Sequence, residues 1–156
     1  MSRHSKDITA IIDTREQLPL DLESHGLKIV YEALSFGDYS LHYPRLSDHI
    51  CIERKSLQDF VACCGKERKR FFRELLAMRG YRYKAIVIEA EFEEIRSGSY
   101  RSQIEINSVI GTVSRIMLYG IPFVFTGSHK GSSHFVASLL KMIAKDINNF
   151  AKEVTI

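Results

Sequence analysis

Short apolar runs, bounded by glycine, proline and charged residues, divide the chain into strand-sized segments. The runs around Ile11 and Ile86 are apolar almost throughout, which is typical of strands buried on both faces. The run that follows Gly37 instead alternates Tyr39 and Leu41 with polar residues, which is typical of a half-buried strand. The pattern predicts strands at residues 7–13, 27–34, 38–42, 49–54, 85–90 and 122–127.

Longer stretches carry apolar residues at helical spacing. Ser56 is a good N-cap for the first helix, which continues up to a glycine, and a second helix follows. Asn107 or Ser108 is the predicted cap of a helix over residues 107–118, and a long amphipathic helix covers residues 132–150. Strands that come first and then alternate with helices predict an α/β fold in which a mixed sheet has helices on both sides.

Composition indicates one soluble domain over residues 1–156. Of the 156 residues, 45% are hydrophobic, which is enough for one sizeable core. No apolar run approaches the roughly 18 residues of a membrane span, and residues 1–7 lack the apolar centre of a signal peptide. We therefore expect an intracellular protein whose three cysteines, without a C-x-x-C pair, stay reduced. The net charge of +3 permits binding to nucleic acid without demanding it.

Charged residues appear where the predicted strands leave the core. Asp38 opens one strand, Glu53 and Lys55 close the next, and Glu89 ends another. Because side chains alternate faces along a strand, Glu53 and Lys55 project together while Arg54 points the other way. Two carboxylates on one face can hold a hard cation such as Mg²⁺, and a neighbouring ammonium can stabilise charge on a phosphate. An isolated Glu-x-Lys pair is also typical of an exposed surface whose charges compensate each other.

The stretch GDYSLHYPRLSDHICIERKSLQD joins these residues into one motif. It resembles the nuclease signature of the XPF-type structure-specific endonucleases, within the wider PD-(D/E)-x-K nuclease superfamily. The matching residues are Gly37, Asp38, Glu53, Arg54, Lys55 and Asp59. The resemblance covers nearly the whole chain, and it implies a stand-alone nuclease domain with a restriction-endonuclease-like mixed sheet.

The resemblance also concerns the residues after the first predicted strand. An Asp-x-Arg-Glu cluster follows that strand in the family, and Asp13, Arg15 and Glu16 match it. Taken alone, Asp13 is also typical of a turn or helix cap, and Asp59 of a residue that caps the helix after Ser56. The resemblance implies a Mg²⁺ or Mn²⁺ cofactor bound by Asp38, Glu53 and Asp13, with Asp38, Glu53, Lys55, Asp13, Glu16, Arg54 and Asp59 as catalytic residues.

Basic residues beyond the signature predict contacts with DNA. Four of them, from Lys66 to Arg73, follow helical spacing along one face, which is also typical of a solvated surface. The family has an arginine early in this helix that helps to form the site; Arg68 matches it best and Arg70 second. The loop over residues 96–103 is basic and contains a tyrosine that can stack on a base. We predict nucleic-acid contacts from Arg15, Arg68, Arg70, Arg73, Tyr100 and Arg101.

Other phosphate chemistry lacks its motifs in this chain. There is no G-x-x-x-x-G-K-[ST] loop, so ATP hydrolysis is unsupported, and the spacing of His129 and His134 places them off a shared helical face, which disfavours a metal site. We predict a metal-dependent DNA endonuclease that cuts branched or junction DNA in repair, recombination or replication. The alternative is a non-catalytic DNA-binding or scaffolding subunit of a nuclease complex, and an RNA-directed or restriction-type nuclease is a third possibility.

Assembly is predicted from what the sequence does not contain. Many relatives in this family carry a helix-hairpin-helix module or a helicase, and this sequence shows neither. We expect a homodimer or a partner protein to widen the modest basic face that remains for DNA. The predicted helices over residues 107–118 and 132–150 offer apolar surface for a second copy, although covering the sheet would use the same surface.

Overall fold

A computed structural model describes residues 7–154. Within this range, six strands form one sheet: β1 Thr9–Asp13, β2 Lys28–Glu32, β3 Tyr39–Leu41, β4 Ile50–Ser56, β5 Tyr83–Glu89 and β6 Phe123–Phe125. The α-helices are α1 Leu57–Cys64, α2 Arg68–Met78, α3 Phe92–Arg96, α4 Ile106–Leu118 and α5 His129–Val154. Short 3₁₀ helices, Glu23–His25 and Ser47–His49, precede β2 and β4. Residues 1–6, on which the expectation of no signal peptide rests, lie outside the described residues.

One strand runs against the rest of the sheet, whose order is β2-β1-β3-β4-β5-β6. Strand β3 is antiparallel to both β1 and β4. The remaining neighbours are parallel to each other. The C-terminal ends of five strands therefore meet at one edge, and the residue that precedes β3 joins them there. The mixed sheet confirms the predicted fold class.

Two hydrophobic clusters cover opposite faces of the sheet. Helix α5 packs on one face, against residues that include Ile52. Helices α1, α2 and α4 pack on the other, against residues that include Cys51. Because side chains alternate along β4, Glu53 and Lys55 continue the face of Cys51, and Arg54 continues the face of Ile52. Helices on both sides of the sheet were predicted, and this part of the prediction is confirmed.

The strands lie where the sequence predicts them, but several helix starts differ. The Ser56 cap is confirmed, since its hydroxyl accepts the N–H of Asp59 at 3.1 Å. Helix α4 begins at Ile106 after Glu105, and neither Asn107 nor Ser108 caps it, so that prediction is wrong.

Helix α5 begins at His129, earlier than predicted, because the Ser128 hydroxyl accepts the N–H of Gly131 and satisfies its first turn. Helix α2 begins at Arg68, so Lys66 precedes it and does not share its helical stripe as predicted. No helix between residues 7 and 154 combines the length and apolar character needed to cross a membrane.

Candidate active site

Asp38 is fixed at the edge of the sheet by the backbone on both sides. Its N–H donates to the carbonyl of Ile52, and its own carbonyl accepts the N–H of Asp13, both at 2.9 Å. The N–H of Arg54 donates to Oδ2 of the Asp38 side chain at 2.8 Å. The carboxylate therefore sits beside the end of β4, as the predicted hairpin requires.

Gly37 makes this position of Asp38 possible. Its φ of 84° lies in the left-handed region, and a Cβ at this residue would lie 2.8 Å from Sγ of Cys51. Another side chain would meet both backbone strain and a clash with β4. The Gly-Asp pair of the signature is therefore a packing requirement of the β3–β4 hairpin.

A cleft of about 390 Å³ opens between the ends of the strands and helices α1 and α2. It brings together Asp38, Glu53 and Lys55, the three residues predicted to form its centre. Nζ of Lys55 lies 2.8 Å from Oε1 of Glu53, and the two side chains are only 13% and 15% exposed. Other predicted residues border the cleft as well: Arg15, Glu16, Arg54, Asp59 and Arg70.

The two carboxyl groups in the cleft resist ionisation. Burial, and after it the charge of Glu53, raises the pKa of Asp38 to about 7. Burial raises the pKa of Glu53 as well, although the Lys55 ammonium acts to lower it. Burial alone would lower the pKa of Lys55, but the Glu53 carboxylate raises it overall, so the lysine stays charged. A cation bound beside them would favour the ionised form of both carboxyls, because it compensates their negative charge.

The donor atoms fit a hard divalent cation. Among residues 7–154, Oδ1 of Asp38 and Oε2 of Glu53 receive no hydrogen bond. Neither oxygen is sealed from solvent, because every fully buried side-chain oxygen in this range has a partner. The described residues contain no group of three or more His, Cys, Asp or Glu placed to hold a metal. Mg²⁺ suits such a site, because it binds to one or two carboxylates and keeps several waters.

The structure does not bring Asp13, a predicted metal ligand, to the cleft. Arg15 donates to both of its oxygens, from Nε at 2.8 Å and from Nη2 at 3.1 Å, and the N–H of Leu34 donates to Oδ1 at 2.9 Å. Burial acts to raise the pKa of Asp13, but these hydrogen bonds lower it overall. Asp13 thus anchors Arg15, whose side chain is 70% exposed at the rim of the cleft.

Arg54 and Glu16 pair with each other on the opposite face of β4. Nε and Nη2 of Arg54 donate to the two Glu16 oxygens at 3.0 and 2.7 Å, and the Tyr39 hydroxyl donates to Oε2 of Glu16 at 3.1 Å. Burial acts to raise the pKa of Glu16, but the Arg54 hydrogen bonds and charge lower it overall. These two predicted catalytic residues form a wall behind the cleft, and their polar atoms are engaged there.

The wall continues through residues for which the sequence gave little indication. Nη1 of Arg54 lies 3.3 Å from Oε2 of Glu89, whose other oxygen lies 3.0 Å from Nδ1 of His129. Nε2 of His129 lies 3.2 Å from the carbonyl of Pro19. The sequence marked Glu89 as an acid at a strand end near the site, and its register opposite Ser56 of β4, which the folded sheet defines, brings it to Arg54.

Asp59 lies at the start of α1 and also at the border of the cleft. Its N–H donates to the Ser56 hydroxyl, which in turn donates to its Oδ2 at 2.8 Å, so it caps α1. It also borders the cleft. The cap therefore presents a carboxylate to the same space as Asp38 and Glu53.

The basic residues predicted to contact DNA separate into two groups. Arg70 borders the cleft, as does Lys66, whereas Arg68 turns away: its Nη1 donates to Oγ1 of Thr112 at 2.7 Å, and it packs over the ring of Phe72. Arg73 is exposed and outside the cleft. Although the family pattern favours Arg68, Arg70 is the arginine of α2 at the cleft.

The loop after α3 also differs from the expected stacking surface. The Tyr100 hydroxyl donates to the carbonyl of Ile104 at 3.0 Å, and its ring packs against the core beside α4. Arg101 is exposed. The tyrosine stabilises its own loop instead of presenting a free ring to a base.

The sequence of this chain matches a family model and is similar to known proteins. The family model of the ERCC4 domain matches residues 12–139. The DNA repair endonuclease UVH1 of Arabidopsis thaliana is 32% identical over an alignment of 123 residues, and the match covers 73% of this chain and 12% of that protein. A putative ATP-dependent RNA helicase of Methanocaldococcus jannaschii, MJ1505, is 29% identical over 142 residues, 90% of this chain and 16% of the relative. The chain thus spans less than a fifth of the length of these relatives.

A solved structure shares the fold. XPF from Aeropyrum pernix, in complex with DNA, superposes with a TM-score of 0.69 at 25% identity, covering 89% of this chain and 66% of the other. The sheet and its helices are thus those of the XPF nuclease domain. Together with the match over residues 12–139, this confirms the resemblance seen in the sequence: the chain belongs to the ERCC4 domain family, the family of XPF.

Proposed function

We propose that this chain is a Mg²⁺- or Mn²⁺-dependent DNA endonuclease that cuts near branches or junctions between single and double strands. The observation that carries the proposal is the cleft itself, where Asp38 and Glu53 each offer an oxygen without a hydrogen bond, beside the Lys55 ammonium. DNA as the substrate is supported by two relatives, a DNA repair endonuclease and an XPF in complex with DNA. The preference for branched DNA follows from the family alone.

The residues of the cleft divide the work of phosphodiester hydrolysis. Asp38 and Glu53 would hold the cation, which would polarise the phosphate and lower the pKa of a bound water. Lys55 is largely buried at the cleft and lies 2.8 Å from Glu53, so its charge has little freedom to move. It stabilises the negative charge that grows on the phosphoryl oxygens as the water attacks.

The basic residues at the rim of the cleft are placed to contact the phosphates of the DNA backbone. Arg15 is anchored by Asp13 and remains largely exposed, while Lys66 and Arg70 border the cleft from the side of α2. Cations on both sides of an acidic centre let the phosphate backbone approach carboxylates that would otherwise repel it. A homodimer or a partner protein would extend this short basic rim, and light scattering against the 17.9 kDa mass of one chain tests for the homodimer.

A panel of DNA substrates tests the proposal. The protein is incubated with flap, fork, linear duplex and single-stranded DNA, in Mg²⁺, in Mn²⁺ and with chelator. We expect metal-dependent cleavage of the flap or fork and little cleavage of the linear duplex. If the folded protein cleaves none of these substrates, either alone or after a partner protein is added, the enzymatic function is contradicted.

Metal affinity separates the enzyme from a non-catalytic DNA-binding subunit. Calorimetry should detect Mn²⁺ binding to the wild-type protein and its loss in the Asp38→Asn, Glu53→Gln double variant. Equal heats for both proteins would favour the scaffolding alternative, since a scaffold has no need of a cation between these two residues.

A further inference from the structure

A chain of charged side chains connects the wall of the cleft to the first turn of α5. Arg54 contacts Glu16 on one side and Glu89 on the other, and Glu89 contacts His129. The arginine and both acids are almost completely buried, with side chains 10%, 6% and 9% exposed, while the histidine is 34% exposed. Buried charges of this kind are stable only when they balance. Two carboxylates against one guanidinium leave one negative charge unmatched.

The geometry of His129 supplies the missing positive charge. Its Nε2 faces the carbonyl of Pro19, which can only accept, so this nitrogen carries a proton. Its Nδ1 faces Oε1 of Glu89, and Glu89 also accepts from the permanently charged Arg54, which favours the ionised carboxylate. A neutral ring would turn a lone pair toward that carboxylate. Both ring nitrogens therefore lie at hydrogen-bond distance from an acceptor, and only a doubly protonated ring can donate to both.

His129 contacts two residues that are distant from it in the sequence. Pro19 is 110 residues from His129 along the chain, and Glu89 is 40 residues from it. The segment between β1 and Pro19 is thus held at two points, at Glu16 by Arg54 and at Pro19 by His129. Arg15, at the rim of the cleft, lies on this segment.

We propose that His129 is a positioning residue for the cleft, which as an imidazolium holds the Glu89–Arg54–Glu16 wall and the segment carrying Arg15 in place for cleavage. The proposal rests on the nuclease function proposed above. His129 itself touches neither Asp38 nor Glu53, so it acts through the wall. Glu89 of β5 contacts the ring, and Arg54 of β4 and then Glu16 of the loop after β1 follow it in the chain of contacts.

Substitution by residues that differ in charge tests the role. His129→Gln removes the charge, whereas His129→Arg keeps a positive charge and N–H donors for both partners. We expect the single-turnover rate of flap cleavage at pH 6.5 to fall about five- to tenfold in His129→Gln and to recover to within about twofold in His129→Arg. His134→Gln, an exposed histidine on the same helix, is the matched control and should cut at the wild-type rate.

The pH profile distinguishes the proposed role from simple packing. Dividing the wild-type rate by the His129→Arg rate removes the pH dependence that the other titrating groups give to both proteins. We expect this ratio to fall as pH rises from 6 to 9, because the imidazole loses its proton and the guanidinium does not. A constant ratio, or a His129→Arg variant as slow as His129→Gln, would overturn the proposal.

Proton NMR of the metal-free protein gives a readout that needs no cleavage. Near pH 6, His129 should show two ring N–H signals protected from exchange with water, and His134 none. Glu89→Gln should remove the protection of the Nδ1 proton. If the wild-type protein cuts no DNA, the nuclease proposal fails and these signals alone decide whether the link exists; a single protected N–H on His129 would overturn it.

Discussion

The two faces of β4 carry similar side chains in opposite electrostatic states. On the face toward α1, Asp38 and Glu53 share a cleft with one ammonium, and the pKa of both carboxyls is raised. On the face toward α5, Glu16 is held by Arg54, and its pKa is lowered. Three consecutive residues, Glu-Arg-Lys, therefore serve two sites. The satisfied face stabilises the fold, and the unsatisfied face is left for a ligand to complete.

The largest expected effect is the loss of cleavage when the unsatisfied face is altered. Asp38→Asn or Glu53→Gln removes a proposed metal ligand and should slow single-turnover cleavage at least about 1,000-fold, or about 4 kcal/mol of transition-state stabilisation. DNA binding, measured by fluorescence anisotropy, should stay the same or tighten because a negative charge is lost. Asp48→Asn, an exposed acid in the turn before β4, is the control. Wild-type cleavage by either variant would show that the site is elsewhere.

The satisfied face should respond in stability instead. Arg54→Met leaves Glu16 and Glu89 buried without their partner and should lower the free energy of unfolding by about 3 kcal/mol, measured by urea denaturation. Arg70→Met breaks exposed ion pairs with Glu67 and Glu74 and should cost less than about 1 kcal/mol. If both variants lost the same stability, the two faces would not differ as described.

A smaller effect of opposite sign is expected for the stability of Asp38→Asn. The folded protein holds the Asp38 proton up to about pH 7, whereas the unfolded chain releases it near its ordinary pKa of 3.8. The folded state binds more protons between these values, so the contribution of Asp38 to stability declines as pH rises toward 7. Asparagine does not ionise, so the metal-free variant should be more stable than the wild type at pH 8.

The advantage of Asp38→Asn should be much smaller near pH 4, because the folded wild type then keeps the proton and the unfolded chain still holds about half of it. Urea denaturation at the two pH values, without metal, measures it. An equal difference at pH 4 and pH 8 would mean that the effect comes from packing and that the Asp38 carboxyl is not destabilised by its ionisation.

The smallest expected effect is a change in the salt dependence of DNA binding when an arginine at the rim of the cleft is replaced. Arg70→Gln should lower the slope of log affinity against log salt by about one unit, because one phosphate contact is lost. Arg68→Gln should leave the slope unchanged, since that guanidinium is turned toward Thr112 and the ring of Phe72. If only Arg68→Gln reduced the slope, Arg68 and not Arg70 would be the arginine of α2 that contacts phosphate, as first predicted.

The sequence predicted the parts of the molecule that depend on local patterns. Alternation and apolar runs located the strands, and the opposite projection of Glu53 and Arg54 followed from the period of β4. The hairpin that brings Asp38 to Glu53 was also correct, because the glycine and the short strand define it locally.

What could not be predicted depends on partners that only the folded chain brings together. Asp13 turns from the cleft because the amide of Leu34 and the side chain of Arg15 hold it. Arg68 turns away because Thr112, 44 residues later, accepts its hydrogen bond. The contact of Arg54 with Glu89 spans 35 residues across two strands. A motif names residue types, but it does not tell which acid is already paired.

The connection between β3 and β4 lies at the edge of the sheet opposite the cleft, because β3 ends and β4 begins there. The pairing of Tyr39 with Ile52 sets the register on the cleft side of this turn. Insertions and deletions in the turn can therefore change its length without moving Asp38 relative to Glu53. For the same reason, the exposed positions Pro44 and Arg45 are suitable for inserting an affinity tag or a fluorophore in a protein that must keep its cleft intact.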